Sequence, residues 1–260
     1  MSEKLLVTLQ NGIKRIAFNN PSRRNAVDSE TIKAFDQAIE QSAGDETLVV
    51  ILTGVGESFC AGAELHSIGS SELEKRNVTA MIREDVNPGI RGMRELPKPI
   101  IARVHGHAGG LGCNYALAAD LIIASDQAFF GELFVRIGLM SDGGGSYFLP
   151  RLIGYHRAFE MMAIGDPIPA QQAFEMGIIN RVVPHAELDA TVDALAARLA
   201  AGPGLALAKI KAGLNFGLQT DLAGALEFEA VNQNDCFRSA DFKEGVTAFL
   251  QKRKAVFTGK

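Results

Sequence analysis

Ile100-Ile101-Ala102-Arg103-Val104-His105-Gly106-His107-Ala108-Gly109-Gly110-Leu111-Gly112-Cys113-Asn114 runs a buried strand into a glycine-rich turn and then into a helix. Pro97-Lys98-Pro99 marks its entry, and a second apolar run, Leu121-Ile122-Ile123-Ala124, follows it. Upstream, Leu48-Val49-Val50-Ile51-Leu52 reads as another buried strand, closed by the turn Thr53-Gly54-Val55-Gly56. Buried strands that alternate with helices and loops predict an α/β architecture.

Outward from this center the pattern holds. Leu5, Val7 and Leu9 alternate, the apolar residues Ile13, Ile16 and Phe18 follow, and Asn11-Gly12 between them predicts a hairpin because both residues tolerate positive φ. Asp28 is placed to cap a helix whose apolar face is Ile32, Phe35 and Ile39. Toward the C-terminus, Leu188, Val192, Leu195 and Leu199 recur at helical spacing, Gly202-Pro203-Gly204 breaks the run, and three more helical stretches follow up to Lys254. Asp241 with Glu244 resembles a capping box. The expected organisation is an α/β core over residues 1–200 and a helical region over 201–260.

Composition narrows the function classes. With 26 basic and 30 acidic residues the net charge is −4, so nothing draws the chain to nucleic acid. Lys209, Lys211, Lys252, Arg253 and Lys254 read as solvated helix faces or phosphate contacts. No apolar run is long enough to span a bilayer, Met1-Ser2-Glu3-Lys4 opens no signal peptide, and three widely spaced cysteines suit a reducing compartment. A cytoplasmic protein without membrane association is expected.

Three glycine-rich segments are placed to carry chemistry: Ser58–His66, His105–Asn114 and Gly138–Ser146. Loops after strands are frequent binding sites in α/β sheets, and the first N–H groups of a helix are free donors. Gly110-Leu111-Gly112 starts a dinucleotide fingerprint, but Tyr115 occupies the third glycine's position. There is no Gly-Lys-Ser or Gly-Lys-Thr phosphate loop and no Gly-x-Ser-x-Gly elbow. His105 and His107 lack the companions of a metal set and read as structural, and Cys60 and Cys113 read as small buried fillers. No metal or separate cofactor is expected.

Taken in order, Pro21–Ala26, Phe59–Leu65, Gly106–Asp120, Gly138-Leu139 with the triglycine, Leu149–Gly154, Ala173-x-x-x-Gly177-Ile178-Ile179 and Ser239–Gly245 make the chain resemble the enoyl-CoA hydratase/isomerase (crotonase) superfamily. The resemblance implies a spiral core of ββα units, a C-terminal helical region that builds trimers or hexamers, and an acyl-CoA thioester substrate. It also implies that the backbone N–H groups of Ala63 and Leu111 form an oxyanion hole. Such donors stabilise the enolate that forms when a proton leaves the carbon beside a thioester. The same resemblance places the acyl-CoA against Arg24, Ala61, Ala63, Glu64, Leu65, His66, Leu111, Phe134 and Met140, with the adenine held by backbone near Ala61 and Leu65.

Water addition in this superfamily generally uses two glutamates. Counted by motif, their positions hold Asn114 and Phe134, neither of which accepts a proton at neutral pH. Glu132 stands two residues before Phe134, and Glu64 reads as facing away. Asp142, ahead of Gly143-Gly144-Gly145, remains as the acid–base candidate, and the run Gly138–Gly154 looks like that of Δ3,Δ2-enoyl-CoA and epoxyphenylacetyl-CoA isomerases. Phe134, Leu139 and Met140 are expected to enclose Asp142 and raise its pKa. The favoured reading is an acyl-CoA isomerase. A residual hydratase, or another lyase or hydrolase on the same hole, is the alternative within enzymes, and a non-catalytic acyl-CoA-binding protein is the alternative outside them. Asp142 as a mere helix cap is the competing structural reading. The segment from Ser67 to Val86 is expected to help set acyl length.

Overall fold

A computed structural model describes residues 3–64 and 77–259. β1 (Leu5–Gln10) and β2 (Ile13–Phe18) form the predicted hairpin, with Asn11 and Gly12 both at positive φ. α1 (Ser29–Gly44) starts where the Asp28 carboxylate accepts the Thr31 N–H, and it buries Ile32, Phe35 and Ile39. β3 (Val49–Gly54) is buried throughout, whereas Leu48, expected to start it, is 48% exposed. Helix from Val78 passes through a π-turn at Ile82–Val86 into α2 (Asn87–Glu95).

β4 (Ile100–Val104), β5 (His107–Gly109), α3 (Leu111–Ala118), β6 (Leu121–Ser125) and β7 (Phe129–Gly131) follow. A 3₁₀ turn, Leu133–Ile137, leads to α4 (Gly145–Ile153), α5 (Tyr155–Ile164), β8 (Ile168–Pro169), α6 (Ala170–Glu175) and β9 (Arg181–Val183). The chain ends in α7 (Leu188–Ala200), α8 (Gly204–Gly217), α9 (Leu222–Arg238) and α10 (Ala240–Leu250).

The main sheet has the order β1-β2-β3-β4-β6-β9, parallel except for the hairpin, and β5-β7-β8 form a second small sheet. Val49, Ile51, Ile101 and Ile123 face Leu188, Val192 and Ala196 of α7. On the other side Val50, Leu52, Ile100 and Ala102 join the larger core under α1 and α3. Both faces are covered, which is why these strands read as continuous apolar runs. The result is the expected α/β core followed by C-terminal helices.

Two expectations are corrected. Asp241 does not cap α10: Ser239 does, accepting the Phe242 N–H at 3.0 Å. The Asp241 carboxylate instead takes the N–H groups of Thr258 and Gly259, and Glu244 pairs with Arg253, so both acids tie down the tail after the helix. Lys211 is not on a solvated face. It is 8% exposed, and its ammonium donates to Met93 O, Lys98 O and Asp120 Oδ2, joining α8 to the core.

Candidate active site

The loops after β3 and β4 meet at one edge of the sheet, the usual place for ligands in α/β sheets. Cys60 N–H donates to His107 O at 3.0 Å and Gly109 N–H to Cys60 O at 2.9 Å, which zips the two loops together. On the other side of the first loop, Val27 N–H donates to Gly62 O and Glu64 N–H to Val27 O, each at 2.8 Å. In this parallel bridge the residue between those two bonds, Ala63, turns its own N–H away from Val27.

Leu111 is the first residue of α3 and has no helical carbonyl one turn back to receive its N–H. Gly62, at φ +99°, brings the two donors together. A Cβ on it would lie 2.7 Å from Gly109 O and 3.3 Å from Leu111 N, so only glycine permits this approach. Two backbone donors, one at a helix N-terminus, thus border the same spot.

The segment that carries Asp142 packs beside it. A Cβ on Gly143 would meet Leu111 Cδ1 at 2.6 Å, and one on Gly145 would meet Ser141 Oγ at 2.3 Å, so the triglycine lets the Asp142 loop press onto α3. Asn114 holds that loop: its Nδ2 donates to Asp142 O at 2.7 Å and to Ser141 Oγ at 3.1 Å. The Asp142 carboxylate does not cap α4, whose N-cap, Gly144, supplies no side chain. Its Oδ1 is buried without a hydrogen-bond partner among the described residues, and burial raises its pKa above the ordinary 3.8. Leu139 and Met140 do not enclose it as expected. They are 52% and 79% exposed and line a neighbouring pocket instead, because the 3₁₀ turn carries them outward.

Phe134 stands at the wall: a Cβ on Gly110 would touch its ring at 3.8 Å. Arg24 is exposed, and its carbonyl accepts the Ala61 N–H at 2.9 Å, so Arg24, Ala61 and Ala63 share one rim. Glu64 lies near Lys4, at the far side of the Val27 bridge. Leu65 and His66 lie outside the described residues.

The histidines and cysteines behave as structural groups. His105 accepts from Arg103 at 2.7 Å through Nδ1 and donates to Gly56 O through Nε2, and burial lowers its pKa to about 4, so it stays neutral. Cys60 and Cys113 are fully buried, and burial pushes the Cys60 thiol up to about 12.

Glu132 is the residue whose placement the sequence did not reveal. It is 1% exposed and near Asn114 and Ser141, yet among the described residues neither carboxylate oxygen has a partner within hydrogen-bond distance. Burial raises its pKa from 4.5 to about 7; the neighbouring Ser141 and Asn114 side chains pull it down, and the charge of Asp142 adds a smaller push upward. The sequence signal was an acid inside an otherwise apolar segment, Phe129–Val135.

Comparison with known proteins shows matches along the whole chain. The sequence profile of the enoyl-CoA hydratase/isomerase family matches residues 8–260. A Rhodobacter capsulatus protein named "probable enoyl-CoA hydratase" is 38% identical, over 97% of this chain and 96% of its own. The 1,2-epoxyphenylacetyl-CoA isomerase of Escherichia coli is 36% identical over the full length of both chains. A crystal structure of an enoyl-CoA hydratase from Polaromonas sp. JS666 superposes with a TM-score of 0.93 at 31% identity, covering 98% of this chain and 99% of that one.

Proposed function

This chain belongs to the enoyl-CoA hydratase/isomerase family, and from that premise we propose that it is an acyl-CoA isomerase that shifts an enoyl double bond, or performs a related rearrangement, with Asp142 as its acid–base residue. The observation that carries this reading is Asp142, whose buried Oδ1 has no hydrogen-bond partner among the described residues and whose loop packs on the Leu111 side chain, with Asn114 and Phe134 where a water-adding pair of glutamates is expected. Asp142 takes a proton from C2 of a 3-enoyl thioester, and the C–H electrons move onto the thioester oxygen. The N–H groups of Ala63 and Leu111 bind that oxygen as charge develops. The dienolate then collapses as Asp142 returns the proton at C4, leaving a 2-enoyl thioester.

Because Asp142 must be ionised to act as base, activity rises with pH through a pKa above the ordinary aspartate value. Arg24 and the backbone near Ala61 form the nucleotide rim in this reading. α9 has no buried residue and exposes Leu222, Leu226, Val231 and Phe237, which supports a role for the region 201–260 in assembling trimers or hexamers.

Water addition is the second reading, favoured by Glu132, a second carboxylate close enough for the charge of Asp142 to act on it. Purified protein offered 3-enoyl-CoA and 2-enoyl-CoA separately decides between them. Double-bond migration in the first, with slow hydration of the second, is expected, and rapid hydration with little migration rejects the isomerase. Acyl-CoA binding with no turnover of either ester would identify a non-catalytic binding protein.

A further inference from the structure

Next to the site, a pocket of about 450 Å³ opens between the 3₁₀ turn, the segment Leu139–Ser141 and α5, within the size range of small-molecule sites. Its walls are mainly apolar, including Phe134, Met140, Pro150, Phe159 and Met162, and Glu132 lines it as the acidic group. The neighbours of Glu132 are spoken for. Asn114 Nδ2 donates to Ser141 Oγ and Asp142 O, and Ser141 Oγ lies 3.2 Å from Asp142 O as its donor. A buried acceptor left unmatched opposes folding, and a proton shift carried by Asp142 alone gives Glu132 nothing to do. Phe134 is the partition: its ring faces Gly110, next to the Leu111 donor, and also lines the pocket. An acyl chain held at the oxyanion hole therefore has this pocket as a neighbouring space.

We propose that the pocket selects acyl-CoA substrates whose acyl group carries a hydroxyl beyond the reacting carbons, the hydroxyl donating to Glu132 while the hydrocarbon packs on the apolar walls. A hydroxyl suits the site because it needs one strong acceptor and brings an apolar body with it. An ammonium would bring three donors to a pocket with one carboxylate. The inference rests on reading the adjoining site as an acyl-CoA site, but not on the role of Asp142.

The test uses saturated acyl-CoA esters, which undergo no double-bond chemistry, in pairs of equal length with and without a hydroxyl at successive carbons from C5 outward. Calorimetric titration of the intact protein at pH 8, where Glu132 is mostly ionised, is expected to show one hydroxylated ester binding at least about tenfold more tightly than its plain partner, as hydrogen bonds to charged groups allow. In Glu132→Leu the ratio of the two constants collapses to about one, and Glu132→Gln, which keeps the shape and an acceptor, retains part of it. Circular dichroism confirms that each variant is folded, and Glu132→Gln serves alone if Glu132→Leu is not. Plain esters that bind as well as every hydroxylated one, or a preference that survives Glu132→Leu, overturns the subsite alone. Failure of all esters to bind the wild-type protein overturns the acyl-CoA reading with it.

Discussion

The two halves of the candidate site are built in opposite ways. On the donor side, Cys60, Gly62, Glu64 and Gly109 are pinned by backbone hydrogen bonds of 2.8–3.0 Å, and the functional atoms are main-chain nitrogens. On the acid side, Asn114 Oδ1, Glu132 Oε1 and Oε2, and Asp142 Oδ1 are all buried without hydrogen bonds among the described residues. The first half is held by satisfied bonds and glycine geometry, so its donors do not depend on side-chain chemistry at 63 and 111, although the Leu111 side chain is buried in the core. The second keeps polar atoms unsatisfied, which lowers stability but leaves them available to a ligand.

Substitutions on each side should therefore fail differently. Asp142→Asn removes the base while preserving shape. On the isomerase reading it lowers kcat on 3-enoyl-CoA by about 10²–10⁴-fold, the usual worth of a positioned acid–base group. Unchanged turnover would sink the mechanism. On the donor side, Gly62→Ala places a methyl 2.7 Å from Gly109 O and pushes the donors apart. A loss of about 10²–10³-fold in kcat is expected, comparable with removing one oxyanion donor.

The acid side also has a pH signature. Folding raises the Glu132 pKa from 4.5 to about 7, so across that window the folded state keeps a proton that the unfolded chain has released. Stability contributed below pH 4.5 is then lost as pH rises toward 7, by up to about 3 kcal/mol. Asp36, raised by burial to about 7, adds a slope of the same sign. Urea unfolding at several pH values should show the fall in wild type and a shallower one in Glu132→Gln; identical slopes would show that the Glu132 carboxyl is not buried as described. The smallest effect belongs to Ala63→Ser. Because the donor there is backbone and the side chain is exposed, kcat should stay within about twofold in steady-state assays.

Much of the donor side was legible before any coordinates. Asn11-Gly12 announced its hairpin and Asp28 its helix, because turn and cap chemistry are local. The crotonase resemblance singled out Ala63 and Leu111, and the glycine-rich loops after β3 and β4 meet around them. The acid side was only half legible. Asp142 stood out ahead of its triglycine, but the outward path of Leu139 and Met140 follows from a 3₁₀ turn that no local spacing signalled. Ser239, and not Asp241, caps α10 because the tail after the helix returns to claim the Asp241 carboxylate.

The sequence by itself determined the strands, the turns and the glycines that let backbone approach backbone, because those depend on φ preference and on periodicity within a few residues. Only the tertiary structure decided that Glu132 is buried beside Asn114, Ser141 and a largely apolar pocket. Burial and the absence of a partner depend on what separate segments bring to one point in space, and the order of residues along the chain does not encode that locally.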